Sequence, residues 1–355
     1  NKTLLLFFSI LAGVLLLISA FSQVELADIT AAFFLFPKEG FLAVFLINFL
    51  AVFLVSAKRW QAILRGQGCR LGFSKVVRAK MAGFTLSYIT PSAMIGGEPV
   101  RAYMAKEESG CGWEKSFASV IIDQAIFFTC LFAAMIAGFF LLAEHFSLPT
   151  EVLYAFFFVF FLSVSVLYVF YKRILNRKAE DPAFFTYLLR KTGLDRLNFV
   201  RRRLDSVDIT EKSIEKFFHE EKSCFFQALF WAVAETLLGV ASVALTCFYL
   251  GRPLGVTESF GVFFFLTLAN FFPIPGALGS LEFALSFAFG ILGMGKDAGL
   301  AFSLVYRLMN VALCVAGIAA IAHFGLDTLS HRFSLGAPPL LLKIHDLFVR
   351  LVGRK

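Results

Sequence analysis

Six apolar runs, 4–22, 41–57, 116–143, 150–171, 223–250 and 298–324, are each long enough to cross a bilayer, which takes about 17–25 apolar residues per helix. No other feature constrains the fold as strongly, because backbone polar groups in lipid must be satisfied within the spanning structure. The composition agrees. The chain is 59% hydrophobic and 16% charged, whereas soluble domains average about 45–50% and 25%. A soluble globular fold is excluded, and so is disorder, which needs low hydrophobicity and high net charge. The fold class expected is all-α and polytopic.

Charge sets the orientation. Residues 58–80 hold seven positive side chains and no acid, and residues 172–222 hold 13 positive and 9 negative. The tail from 326 has 5 positive and 2 negative, while 23–40 has one Lys and three acids. Lys and Arg accumulate in cytoplasmic loops, which places 58–80, 172–222 and both termini in the cytoplasm and the chain in the cell membrane. The overall charge of +8 has the same origin, and nucleic acid is not expected as a partner. The first run ends near Ser19-Ala20 like a signal peptide, but Ile18 stands where a small residue is wanted. It is expected to be a retained span. The start at Asn1 without Met suggests a trimmed end.

With this orientation, two further apolar stretches cannot cross. Residues 81–97 must leave and re-enter the cytoplasmic face, and 259–294 must do the same from the outer face. Both are broken by Pro and Gly. The first contains Pro91, Gly96, Gly97 and then Glu98. The second contains Pro273, Pro275, Gly276, Gly279 and then Glu282. Seven residues separate Pro91 from Glu98 and Pro275 from Glu282, and a charged residue follows each Glu by 25 positions, Asp123 and Arg307. Two interrupted segments of opposite orientation form the inverted-repeat pattern of transporters. Pro ends a helix, Gly tolerates the dihedrals of the break, and a restarting helix turns its free N–H groups toward an anion. The structural alternative is a tight packing turn with Gly at the contact.

Asp123, Glu235 and Arg307 also lie within long spans, where a charge costs about 2.5–3.5 kcal/mol on insertion scales. They are expected to line a polar cavity, with mutual pairing as the alternative. Arg59, beside Trp60, either joins them or snorkels to headgroups. Arg101, one turn after Glu98, either pairs with it or contacts phosphate.

Elsewhere the chain lacks machinery. G-x-S-x-G, H-E-x-x-H and G-x-G-x-x-G are absent, and Asp297 spoils a near P-loop at 290–296. The five histidines lack ligand spacing and the six cysteines form no C-x-x-C, so no metal site, cofactor or disulfide framework is expected. Segment 201–220 reads as an amphipathic helix on the inner leaflet. The tail repeats Leu340, Leu341, Ile344, Leu347, Phe348, Leu351 and Val352 at helical spacing. The organisation expected is a membrane domain over 1–325 with an insert at 172–222, then a cytoplasmic amphipathic tail at 326–355.

Arg59-Trp60, Thr90-Pro91 through Tyr103, Pro273-Ile274-Pro275-Gly276 through Glu282, and Tyr306-Arg307 together resemble the lysylphosphatidylglycerol synthase transmembrane-region family, also called the flippase-like domain family. The likeness covers about residues 1–325. It implies a helical domain that moves lipids or lipid-linked intermediates between leaflets, without the soluble aminoacyl-transferase domain of bifunctional relatives. The family tends to have Asp-Arg where this chain has Asp123-Gln124.

The leading expectation is a lipid translocase, not an enzyme. Its headgroup route is lined by Arg59, Glu98, Arg101, Asp123, Glu235, Glu282 and Arg307, with Arg101 and Arg307 on phosphate. Its partners are anionic phospholipid or polyprenyl-linked lipid, with a separate lipid-modifying enzyme or a second copy of the chain also open. The alternatives are a membrane-embedded transferase acting on a lipid phosphate and a subunit that presents lipid to another enzyme.

Overall fold

The computed structural model describes residues 36–90, 96–146, 150–175 and 204–333. Among them there is helix and no strand. In chain order the helices are α1 (Lys38–Gly66), α2 (Phe73–Ile89), α3 (Glu98–Ser109), α4 (Trp113–His145), α5 (Thr150–Leu175), α6 (Leu204–Glu220), α7 (Lys222–Tyr249), α8 (Val256–Asn270), α9 (Ser280–Ile291) and α10 (Lys296–Phe333). Four are long and apolar enough to cross a membrane: α1, α4, α7 and the Lys296–Phe324 part of α10. They contain the expected runs at 41–57, 116–143 and 298–324, and all of 223–250 but its last residue. The run at 150–171 falls in α5, whose apolar stretch Phe156–Lys172 is shorter. The run at 4–22 and the tail repeat at 340–352 lie outside the described residues.

Two similar units carry the architecture. In each, a broken helical hairpin precedes a long helix: α2–α3 then α4, and α8–α9 then α10. The units interlock, because α2 packs on α10 and α8 packs on α4. They are also inverted. The start of α2 meets the late part of α10, where Arg78 Nη1 lies 2.9 Å from His323 Nδ1, and the start of α8 meets the late part of α4, where Gly138 faces Phe260. Thus α4 and α10 run in opposite directions, and each hairpin enters from its own end of the molecule. The two breaks meet in the middle. The Tyr88 ring at the end of α2 lies 3.3 Å from where a β-carbon on Gly276 would stand.

Close backbone approach makes the packing specific. A β-carbon on Gly97 would collide with the Gly83 carbonyl across the first hairpin, and one on Gly317 would collide with Thr85 between α2 and α10. Small residues at such contacts let helices associate where lipid supplies no hydrophobic drive.

Three expectations need correction. Residues 58–80 are not simply a loop: α1 runs on to Gly66 and α2 starts at Phe73, while a further helix, α3, fills 98–109. The broken element is therefore a full hairpin, and Lys80 and Arg101 are buried within it. Second, Cys69 and Cys111 form a disulfide, with Cα atoms 5.8 Å apart. Folding the α2–α3 hairpin brings the loops at its two ends together, which a 42-residue separation does not reveal. Third, the amphipathic helix is present as α6, but protein covers its apolar face. Ile214 and Phe217 are fully buried in a core shared with Trp60 and Ala118, and Ser206 Oγ donates to Glu114 Oε1 at 2.9 Å.

Candidate functional site

A cavity of about 240 Å³ lies where the breaks meet, lined from α1, α2, α3, α4, α7, α8 and α10. Its wall combines charged, polar and aromatic groups. The charged residues are Arg59, Lys80, Glu98, Arg101 and Glu235, with Gln124 beside them. The aromatic residues include Phe127, Phe128, Phe263, Phe272, Phe302 and Tyr306. A π-helical stretch in α1, Leu50–Val55, reaches the cavity through Ala51 and Val52. Such irregular turns commonly mark functional positions in helices.

Behind the ionic wall sits Asp123 of α4, fully buried. Its Oδ1 accepts from Arg59 Nε at 2.7 Å. Its Oδ2 accepts from Lys80 Nζ at 2.6 Å and from Arg101 Nη2 at 2.5 Å. The two arginines reach further acids: Arg59 Nη1 bonds Glu235, and Arg101 Nη1 bonds Glu98 Oε2 at 2.6 Å. Gln124 donates to the other Glu98 oxygen. Three cations and three carboxylates therefore form one neutral, hydrogen-bonded cluster. Neutrality matters because desolvating a charge costs several kcal/mol and is offset only by close, well-satisfied partners. Rings add to it: the Arg101 guanidinium lies 4.4 Å from the Trp60 centroid, and that of Arg59 lies 4.9 Å from Phe127. At that range a cation gains from the ring quadrupole. Trp60 is itself fixed by a 3.1 Å bond from Nε1 to Ser119 Oγ.

The structure thus joins Arg59, Glu98, Arg101, Asp123 and Glu235 in one cluster. Arg59 does not snorkel; it is 2% exposed. The Asp-Gln sequence at 123–124 leaves no vacancy, since Asp123 draws its partners from three other helices and Gln124 serves Glu98. Lys80 joins the group, although its place in a basic stretch reads as loop charge. The available signal is its register: Val76, Ala79, Lys80 and Gly83 form the buried stripe of α2, and a lysine on such a stripe is anomalous.

Glu282 and Arg307 are placed apart from the cavity wall. Arg307 Nε and Nη2 donate to Glu282 Oε1 at 2.9 and 2.5 Å. Arg307 Nη1 donates to the Gly276 carbonyl at 3.0 Å, and Glu282 Oε2 accepts the Gly279 N–H at 2.8 Å. The pair therefore braces the second break. There Gly276 and Gly279 take φ of 57° and 78°, and Ala277 takes 51°, a region that residues with a β-carbon rarely visit. Pro275 opens the short 3₁₀ turn Pro275–Ala277, and Pro273 precedes it. In the first break, Gly96 and Gly97 form the turn before α3, and the Gly97 N–H donates to Ser87 Oγ at 2.9 Å. Pro91 lies outside the described residues. Among the described residues no group of His, Cys, Asp and Glu could hold a metal ion.

Comparison with known proteins agrees with this architecture. The family model described as the lysylphosphatidylglycerol synthase TM region matches residues 5–317. A UPF0104 membrane protein of Methanothermobacter thermautotrophicus is 26% identical over 274 residues, 75% of this chain and 80% of its own length. A second protein of that name and organism is 25% identical over 349 residues, 92% and 94% of the two chains. A UPF0104 membrane protein of Methanocaldococcus jannaschii is 24% identical over 295 residues, 78% and 82%. No solved structure matches the chain. With its helical repeat units and a family match over most of its length, the chain belongs to the lysylphosphatidylglycerol synthase transmembrane-region family.

Proposed function

We propose that this membrane protein carries the headgroup of a phospholipid or lipid-linked intermediate from one leaflet to the other. The headgroup passes through the cavity between the two breaks while its tails stay in lipid. The observation that supports this reading is a cavity that offers both charged and aromatic groups, at the meeting point of two hairpins that enter from opposite ends. An amphiphile can use both. The size agrees: about 240 Å³ falls just below the roughly 300–1,000 Å³ of pockets that enclose drug-sized ligands. It suits a headgroup and not a whole lipid.

In this reading Arg59, Glu98, Arg101 and Glu235 face the passing headgroup, Asp123 holds their geometry from behind, and Glu282 with Arg307 keeps the second break rigid. The basic end, with Lys75 and Arg78, faces the cytoplasm of a cell membrane. A transferase fits less well. The carboxylates on the wall, Glu98 and Glu235, are each bonded to an arginine, whereas a general acid or base must be free to exchange a proton with substrate.

The test is exchange of labelled lipids between leaflets of proteoliposomes, with phospholipids of several headgroups and a polyprenyl phosphate. Accelerated exchange of at least one class is expected, and its loss in Glu98→Gln/Glu235→Gln. Wild-type protein that accelerates none of them refutes the reading.

A further inference from the structure

Within the cavity we infer that Lys80 is the cation that leaves its carboxylate to bind the phosphate group of the ligand. This rests on the transport reading for the identity of the ligand, but the assignment of Lys80 comes from the wiring of the cluster.

The three cations are not equally committed. Arg59 bonds both Asp123 and Glu235. Arg101 bonds both Glu98 and Asp123. Among the described residues Lys80 bonds Asp123 alone, through Oδ2, and Arg101 already donates to that same oxygen at 2.5 Å. Withdrawing Arg59 would strip Glu235 of its cation and Asp123 Oδ1 of its donor. Withdrawing Arg101 would strip Glu98 of its cation. Withdrawing Lys80 leaves every buried carboxylate oxygen of the cluster with the rest of its partners. Losing the last cationic partner of a buried carboxylate therefore follows from moving either arginine, whereas Asp123 keeps Arg59 and Arg101 when Lys80 moves.

Its chemistry fits that role. An ammonium has three donors, and in Lys80 one goes to Asp123 while the side chain stands on the cavity wall. The flexible stem and rotatable head of lysine suit a group that changes partner, whereas the planar guanidinium suits fixed bidentate pairs. A phosphate oxygen brought to Lys80 takes over its ammonium, and Asp123 keeps its bonds from Arg59 and Arg101. The ligand class is a phosphate mono- or diester anion, carried by a lipid headgroup or free in solution.

Trp60 provides the probe, because Lys80 Nζ lies 5.9 Å from its ring centroid. The other tryptophans, Trp113 and Trp231, are replaced by Phe to give a single-tryptophan parent. The protein is titrated in detergent micelles with dioctanoyl phosphatidylglycerol, with dioctanoylglycerol and with inorganic phosphate. A saturable fluorescence change is expected with phosphatidylglycerol and none with dioctanoylglycerol. Lys80→Met is expected to weaken the response about tenfold or more, as loss of a charge-assisted bond implies, while Lys80→Arg retains most of it. Lys80→Gln, which keeps a donor for Asp123, serves if the Met variant does not fold. Equal affinity in the parent and a folded Met or Gln variant overturns the assignment, whatever the lipid-exchange assay returns. A response to inorganic phosphate alone overturns the lipid source.

Discussion

Replacing Asp123 by Asn tests the charge balance of the cluster most directly. The carboxylate accepts from Arg59 at 2.7 Å, Lys80 at 2.6 Å and Arg101 at 2.5 Å, and those three residues are at most 7% exposed. Asn leaves three cations facing two carboxylates, with one positive charge uncompensated at the cavity wall. Removing one partner from a buried pair costs about 3–5 kcal/mol, against a total stability of about 5–15 kcal/mol. The apparent unfolding midpoint in detergent, followed by tryptophan fluorescence, should therefore fall by on the order of 10 °C. The sharper result concerns Asp123→Asn/Lys80→Met. This pair removes a cation together with the anion and leaves two balanced units, Arg59 with Glu235 and Arg101 with Glu98. The double variant should be more stable than Asp123→Asn alone, with a coupling of about 1–3 kcal/mol, within the range measured for contacting residues. If the two substitutions add, so that the double variant is the less stable, the single neutral cluster is refuted.

Arg307→Lys should fail to replace Arg307, because one ammonium cannot serve the Glu282 carboxylate and two carbonyls of the break in that geometry. A loss of about 2–4 kcal/mol is expected from the unsatisfied buried groups, read as a lower unfolding midpoint with lipid exchange reduced in parallel. Gly97→Ala places a methyl against the Gly83 backbone; overpacking of this kind costs about 1–3 kcal/mol, read as a lower unfolding midpoint, and the same substitution at Gly72, where φ is −63° and a β-carbon would meet nothing, provides the comparison without a clash. Alkylation of unfolded protein without reductant should modify the four free cysteines, Cys130, Cys224, Cys247 and Cys314, and all six only after reduction. Mass spectrometry reads the difference.

How much of this was legible depended on whether a signal was local. Four of the expected spans were, because each is a continuous apolar run, and so was the second break, where Pro273, Pro275, Gly276 and Gly279 stand together and Glu282 lies three residues inside a new helix. The charges Asp123, Glu235 and Arg307 stood out against apolar surroundings. Their pairing did not, since Arg59 and Asp123 are 64 residues apart and Arg59 and Glu235 176. Opposite charges in different spans suggest pairing without saying who meets whom. Lys80 was concealed differently. It closes a run of basic residues that orientation rules treat as one loop, and only the helical register of α2 separates it from Lys75 and Arg78, which remain near the molecular end. Glu282 and Arg307 carried the opposite difficulty. Their chemistry matched the cluster residues, but their reach was used up on the backbone of the break.

That last contrast bears on how two similar hairpins can do different work. The second break is tied by Arg307 and Glu282 to its own carbonyls and N–H, so its groups are satisfied without help from any other charged residue. Moving it would expose buried backbone groups, each costing roughly 1–3 kcal/mol. The first hairpin carries Lys80 and Arg101 into a cluster shared with α1, α4 and α7, and its partners there are side chains. Side-chain ion pairs can be exchanged for a ligand's charges one at a time, while backbone bonds at a break cannot. Under the proposed transport, a headgroup entering the cavity would therefore offset the loss of contacts to the first hairpin but not to the second. If the hairpins move unequally during transport, α2–α3 is the one that moves and α8–α9 is the support. Hydrogen exchange with and without dioctanoyl phosphatidylglycerol tests this: the amides of α2 and α3 should change protection while those of α8 and α9 stay constant, and the reverse pattern would contradict the argument.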